Sequence, residues 1–135
     1  MLVLTKSILE AIFAHALREY PLESCGLIAG ESGNESVVKR WYPTYNTAQS
    51  ARYYTVEPRE YLKIERELDS SNLEVTGVVH SHTHSDPYPS VTDVENAVDP
   101  SWHYLIVSLR FEKPVCRSFF ILNGNINEEE LVVIK

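Results

Sequence analysis

The sequence predicts an α/β (α+β) domain in which short strands joined by tight turns are flanked by helices. Three observations point there: two segments with apolar residues at helical spacing, several β-branched and aromatic runs of strand length, and turn signals such as SGN and NGN between those runs. At 135 residues the chain is long enough to bury one core without disulfides, and it reads as a single domain over residues 1–135.

Residues 5–19 place Ile8, Ile12, Phe13, Ala16 and Leu17 on one helical face, with Thr5 or Ser7 able to cap the start and Pro21 closing the segment. SCGLIAGES and SVVKRWYPTYN, on either side of SGN, read as strand, turn and strand. EPREYLKIERELDS carries Tyr61, Ile64 and Leu68 at spacings of three and four with Pro58 in the first turn, the pattern of a second helix. It leads into EVTGVVHSH, whose β-branched residues predict a buried strand with histidines at its end. A short helix from about Thr92 to Val98, strands HYLIVSL and VCRSFFIL, the turn NGN and a last strand ELVVI follow. The acidic run EEE at 128–130 is expected to be a solvated turn.

Twelve basic against nineteen acidic residues give a formal charge of -7, which disfavours a nucleic-acid partner. Cys25 and Cys116 form neither a CxxC pair nor a disulfide framework and suit a reducing cytosol. Glu10 and His15 interrupt SILEAIFAHAL, no small-residue cleavage site follows it, and no apolar run approaches membrane-spanning length, so the expected location is the cytoplasm, away from membranes. Both cysteines are expected to be small buried thiols, Cys25 despite lying two residues after Glu23. The tyrosines of WYPTYN and ARYYTV are expected in the core, with a substrate groove as the alternative.

The chemistry concentrates in VVHSHTHSDPYPSVTD, residues 78–93. Side chains alternate across a strand, so His80 and His82 leave one face a few ångströms apart, a spacing that suits two imidazoles on one tetrahedral metal. A third ligand has to come from Asp86, Asp93, His84 or another region. Pro87 and Pro89 turn the chain away from the strand direction, and Asp93 lies beyond that bend at the start of the short helix, which favours Asp93. Ser90 and Asp93 also have capping-box spacing, but Thr92 and Glu95 supply a second box that could cap the helix in their place. Other HxH-type motifs fit poorly. Zinc deaminases need HxE with a later PCxxC, metallo-β-lactamase-like hydrolases need an aspartate where His84 stands, and HxH amidohydrolases need a barrel of about 250 residues. The polymerase and histidinol phosphatase domain draws on several further histidines, and only His15 and His103 remain.

Read as His-Ser-His, seven residues, Ser, two residues, Asp, the stretch from His80 through Ser90 to Asp93 matches the signature of the JAMM (JAB1/MPN/Mov34) metalloproteases. The chain resembles that family over most of its length, including YPLESCGLIAG and HYLIVSL. The resemblance implies a curved, mainly antiparallel sheet between helices, the cytidine-deaminase-like MPN/JAMM fold. It implies zinc on His80, His82 and Asp93, an oxyanion supported by Ser90, and Glu23 as general base. Only the resemblance promotes Glu23, since composition and spacing do not separate it from the other acids and a solvated glutamate at a helix-to-strand turn is the ordinary reading. Family members generally cleave after the Gly-Gly tail of a ubiquitin-like protein. HSHTHSDPYPSVTDV, HYLIVSLR and RSFFI look most like compact prokaryotic members that clip cysteine or short extensions from sulfur carriers. An isopeptidase acting on lysine conjugates shares this chemistry. A metal-free MPN scaffold is the third reading, against which all five positions are filled.

Overall fold

In the computed structural model, which describes residues 1–135, period-two patterning places apolar residues on both faces of a six-stranded sheet. The chain order is β1 (Leu2–Thr5), α1 (Lys6–Glu19), β2 (Cys25–Glu31), β3 (Arg40–Thr44), α2 (Pro58–Leu68), β4 (Leu73–His82), α3 (Val91–Asn96), β5 (His103–Ser108), β6 (Val115–Leu122), β7 (Asn125–Glu129) and β8 (Leu131–Ile134). The sheet order is β3-β2-β4-β5-β6-β7, antiparallel at every step except β4 beside β5. β1 and β8 form a separate parallel pair. The mainly antiparallel sheet flanked by helices is thus the architecture observed.

Ile28, Val79, Leu105 and Val107 bury one sheet face against Ile12 and Ala16 of α1. Leu27, Ala29, Val78 and Tyr104 bury the other against Ile64 and Leu68 of α2. Each fully buried aliphatic side chain is worth about 1.5–3 kcal/mol, so these two layers fix the relative position of β2, β4 and β5. Thr5 caps α1 by accepting the Ile8 N–H, and Pro58 stands in the first turn of α2. Asn123 and Gly124 take φ of 49° and 78°, the left-handed pair that closes the β6–β7 hairpin.

The parallel β4–β5 step dictates where a site can form. Parallel neighbours need a crossover, so the chain leaves the end of β4 and travels through residues 83–102, including α3, before entering β5. Gly77 permits the close approach of the two strands, since a Cβ there would run into the His103 carbonyl oxygen.

Several expectations need correction. Leu17 is 56% exposed, because the buried stripe of α1 runs through Ile12, His15 and Ala16. The short run LVLT carries no strand signal of its own and becomes β1 only by pairing with β8, remote in sequence. The acidic run is not a solvated turn. Glu129 is 8% exposed at the end of edge strand β7, where its carboxylate accepts hydrogen bonds from His103 Nδ1 at 2.5 Å and Ser118 Oγ at 2.7 Å. The short helix is Val91–Asn96 rather than Thr92–Val98. Cys25 is buried, whereas Cys116 is only partly buried at the edge of the α1-side core.

Candidate metal centre and cleft

Strand alternation brings His80 and His82 out on the α2-side face of β4, the face that also carries Val78. Their Nε2 atoms lie 3.2 Å apart, and Asp93 Oδ2 lies 3.1 Å from the first and 2.9 Å from the second. All three residues are buried, with His80 only 1% exposed. Four-coordinate metal bonds of about 2.0–2.1 Å set ligand atoms roughly 3.3 Å apart, so this triangle has nearly the dimensions of three corners of a tetrahedron.

The hydrogen-bond pattern argues for a cation between these atoms. His82 Nδ1 is 2.8 Å from the Asp86 carbonyl oxygen, which only accepts, so Nδ1 carries the proton. A neutral His82 then points the Nε2 lone pair at the carboxylate of Asp93. Either a second proton on His82 or a shared cation removes that repulsion, and a carbonyl fixing the far nitrogen is the usual outer partner of a metal-bound histidine.

Burial lowers the pKa of His80, and the Asp93 carboxylate opposes that shift without overcoming it. Burial also works against a charged His82, but its hydrogen bonds to Asp93 and the Asp86 carbonyl, with the charges of Asp93 and Glu23, raise it above the ordinary imidazole value. Burial would raise Asp93, yet the two imidazoles and the Ser90 N–H hold it well below the carboxylate range.

Of the two possible capping boxes, Ser90 with Asp93 is the one that forms at the start of α3, and Thr92 with Glu95 does not replace it. The Ser90 N–H donates to Asp93 Oδ2 at 2.9 Å and the Asp93 N–H donates to Ser90 Oγ at 3.1 Å. Capping and convergence on the histidines are compatible, because one carboxylate oxygen serves both. Ser90 Oγ accepts the cap bond and keeps its own O–H free to donate. The other candidates for a third ligand point elsewhere: Asp86 pairs with Arg110 at 2.7 Å, and the His84 ring bonds Tyr20 and Thr83.

The β2–β4 register brings in Glu23. Cys25 lies opposite His80, so extending the antiparallel ladder past the end of β2 sets Glu23 opposite His82. The Ser24 N–H donates to Ser81 Oγ at 2.7 Å and the Ser81 N–H to the Ser24 carbonyl at 3.0 Å, which locks the strand ends together. Asn46 fixes the backbone from the other side. Its Nδ2 donates to the carbonyls of Glu23 and Tyr53, while its Oδ1 accepts from the N–H groups of Ala48 and Thr55. The Glu23 side chain is 4% exposed and its Oε1 has no hydrogen-bond partner. Burial pushes its pKa up to about 8, with His82 pulling it down and Asp93 adding to the rise. Glu23, His82 and Ser90 share a cleft of about 410 Å³ with Arg52, Thr83 and His84.

Sequence reasoning missed Asn46, Arg52 and the role of Tyr54, whose ring stacks on His80 at a centroid distance of 4.4 Å. The signal was weak, because these residues come from the loop between β3 and α2.

Residues 5–122 match the family model described as prokaryotic homologs of the JAB domain. This chain belongs to that family. This JAB domain is 35% identical over 136 residues to the CysO-cysteine peptidase of Mycobacterium tuberculosis, covering 100% of this chain and 92% of that protein. It is 36% identical over 104 residues to the desampylase of Haloferax volcanii, covering 73% and 74% of the two chains. The solution structure of protein DSY2949 from Desulfitobacterium hafniense superposes on this JAB domain with a TM-score of 0.89 at 38% identity, covering 98% of this chain and 92% of that one.

Proposed function

We propose that the protein is a zinc metallopeptidase that hydrolyses the amide bond after the C-terminal Gly-Gly of a small ubiquitin-like sulfur carrier, releasing cysteine or a short extension. The observation that carries this reading is the convergence of His80, His82 and Asp93 beside a cleft lined by Glu23 and Ser90. Similarity over the whole chain to a protein named CysO-cysteine peptidase supports the substrate class.

His80, His82 and Asp93 would hold the metal, and two imidazoles with one carboxylate suit zinc. Zinc there would supply Lewis acidity, which makes a water easier to deprotonate near neutral pH. Glu23 takes the proton from the attacking water and passes it to the leaving amine. The Glu23 Oε1, buried and without a hydrogen-bond partner in the protein, is free to take that proton and to give it up again. The Ser90 hydroxyl, oriented by the cap bond it accepts, donates to the oxygen that gains charge as the carbonyl becomes tetrahedral.

Ser90→Ala should therefore lower kcat by about 10²-fold while zinc content stays that of the parent, which metal analysis beside a turnover assay would check. The same change also weakens the α3 cap by about 0.5–2 kcal/mol. A parental rate in Ser90→Ala would remove Ser90 from the chemistry.

Mass spectrometry of the products tests the substrate class. A carrier bearing cysteine after Gly-Gly should yield free cysteine and the shortened carrier. Efficient cutting of a lysine-linked conjugate, with that carrier left intact, would replace the peptidase reading with the isopeptidase one.

A further inference from the structure

Arg52 is the only Lys or Arg lining the cleft that holds Glu23, His82 and Ser90. Its loop is anchored. The Arg52 N–H donates to Ser50 Oγ at 3.0 Å, Thr83 Oγ1 donates to the Ala51 carbonyl at 3.4 Å, and Asn46 bonds the backbone of Tyr53 and Thr55. Its guanidinium makes no ion pair or hydrogen bond within the protein. Arg110, by contrast, pairs with Asp86, Lys39 with Glu31 and Arg117 with Glu128. A fixed backbone thus delivers an uncommitted cation to the reaction cleft of a chain whose formal charge is -7.

Hydrolysis of the amide breaks its C–N bond. The hydroxyl of water goes to the carbonyl carbon and the remaining proton to the leaving nitrogen. Where that nitrogen belongs to a single C-terminal amino acid, a free α-carboxylate is attached one carbon away and must be accommodated in the cleft. Where it is the side-chain nitrogen of a lysine within a protein, no free carboxylate accompanies it. The planar guanidinium fork matches a carboxylate in two parallel hydrogen bonds, stronger than neutral ones.

We infer that Arg52 is a specificity residue that pairs with the free α-carboxylate of a leaving C-terminal amino acid and so favours carrier adducts one residue longer than Gly-Gly over lysine-linked conjugates. This inference rests on the peptidase reading above.

The test uses the full, zinc-loaded chain and two carriers ending Gly-Gly-Cys, one with a free carboxylate and one with a terminal carboxamide. The parent should favour the carboxylate about 10- to 100-fold in kcat/KM. Arg52→Gln should bring that ratio near one by losing rate on the acid and not on the amide, and Arg52→Lys should keep part of the preference. Binding of the two carriers to Glu23→Gln should show the same preference in Kd, which separates recognition from chemistry. A ratio unchanged by Arg52→Gln, or equal losses on both carriers, overturns the role of Arg52 and leaves the peptidase reading standing. A parent that cuts neither carrier overturns both.

Discussion

Replacing Glu23 with glutamine should abolish hydrolysis while leaving the metal site filled and the metal-free fold more stable. Loss of a positioned general base costs about 10²- to 10⁴-fold in rate. Glutamine keeps the size of the side chain but cannot take the proton, and Glu23 is not part of the His80–His82–Asp93 triangle. The gain in stability follows from burial, which raises the folded pKa from 4.5 to about 8. Above pH 4.5 the unfolded chain ionises this group while the folded chain keeps it protonated. The stability contribution is therefore full below pH 4.5 and is lost progressively as pH rises toward 8. The metal-free variant should melt with the parent at acid pH, pull ahead between about pH 5 and 8, and keep its lead beyond. Paired thermal melts across that range, beside a turnover assay, check both halves. Parental turnover in Glu23→Gln would place the base elsewhere.

Asp93→Ala should lose the metal, the activity and part of the fold together, because Asp93 Oδ2 faces two imidazoles and accepts the Ser90 N–H. The backbone N–H of residue 93 still donates to Ser90 Oγ, so only the reciprocal half of the capping box is lost, at about 1 kcal/mol. The remainder depends on pH. With His82 raised and Asp93 lowered, their pairing stabilises the metal-free chain most between the ordinary values of 3.8 and 6.5. It is lost as pH rises through the raised His82 value or falls through the lowered Asp93 value. Asp93→Asn separates the effects, since its amide oxygen can still accept the Ser90 N–H while the charge is gone. It should keep most of the cap, lose the pairing and lose most of the metal affinity. Metal content and melts of the two variants at pH 5.5 and 8 would show this. Parental metal content in Asp93→Ala would move the third ligand to another residue.

The parts of the site that were legible in the sequence depend on local geometry. His80 and His82 follow from strand alternation, and the prolines of the loop justify looking beyond the bend to Asp93. The two overlapping capping boxes are both local possibilities. What selects Ser90 with Asp93 is a tertiary fact, since the same carboxylate oxygen also faces the histidines at the end of β4. Glu23 was illegible without the family resemblance, because its position depends on the pairing of Cys25 with His80 across strands far apart in sequence. Asn46 and Tyr54 are hidden for the same reason. Glu129 misled because an acidic triplet looks solvated. Its burial is compensated by His103, 26 residues away in the chain.

The most direct test of the central claim is intact-mass analysis of a ubiquitin-like carrier ending Gly-Gly-Cys, incubated with metal-free protein and with the same protein carrying one equivalent of zinc. Loss of the terminal cysteine is expected only in the zinc-loaded reaction, leaving a carrier that ends in Gly-Gly. A carrier left whole by protein that holds its zinc stoichiometrically would contradict it.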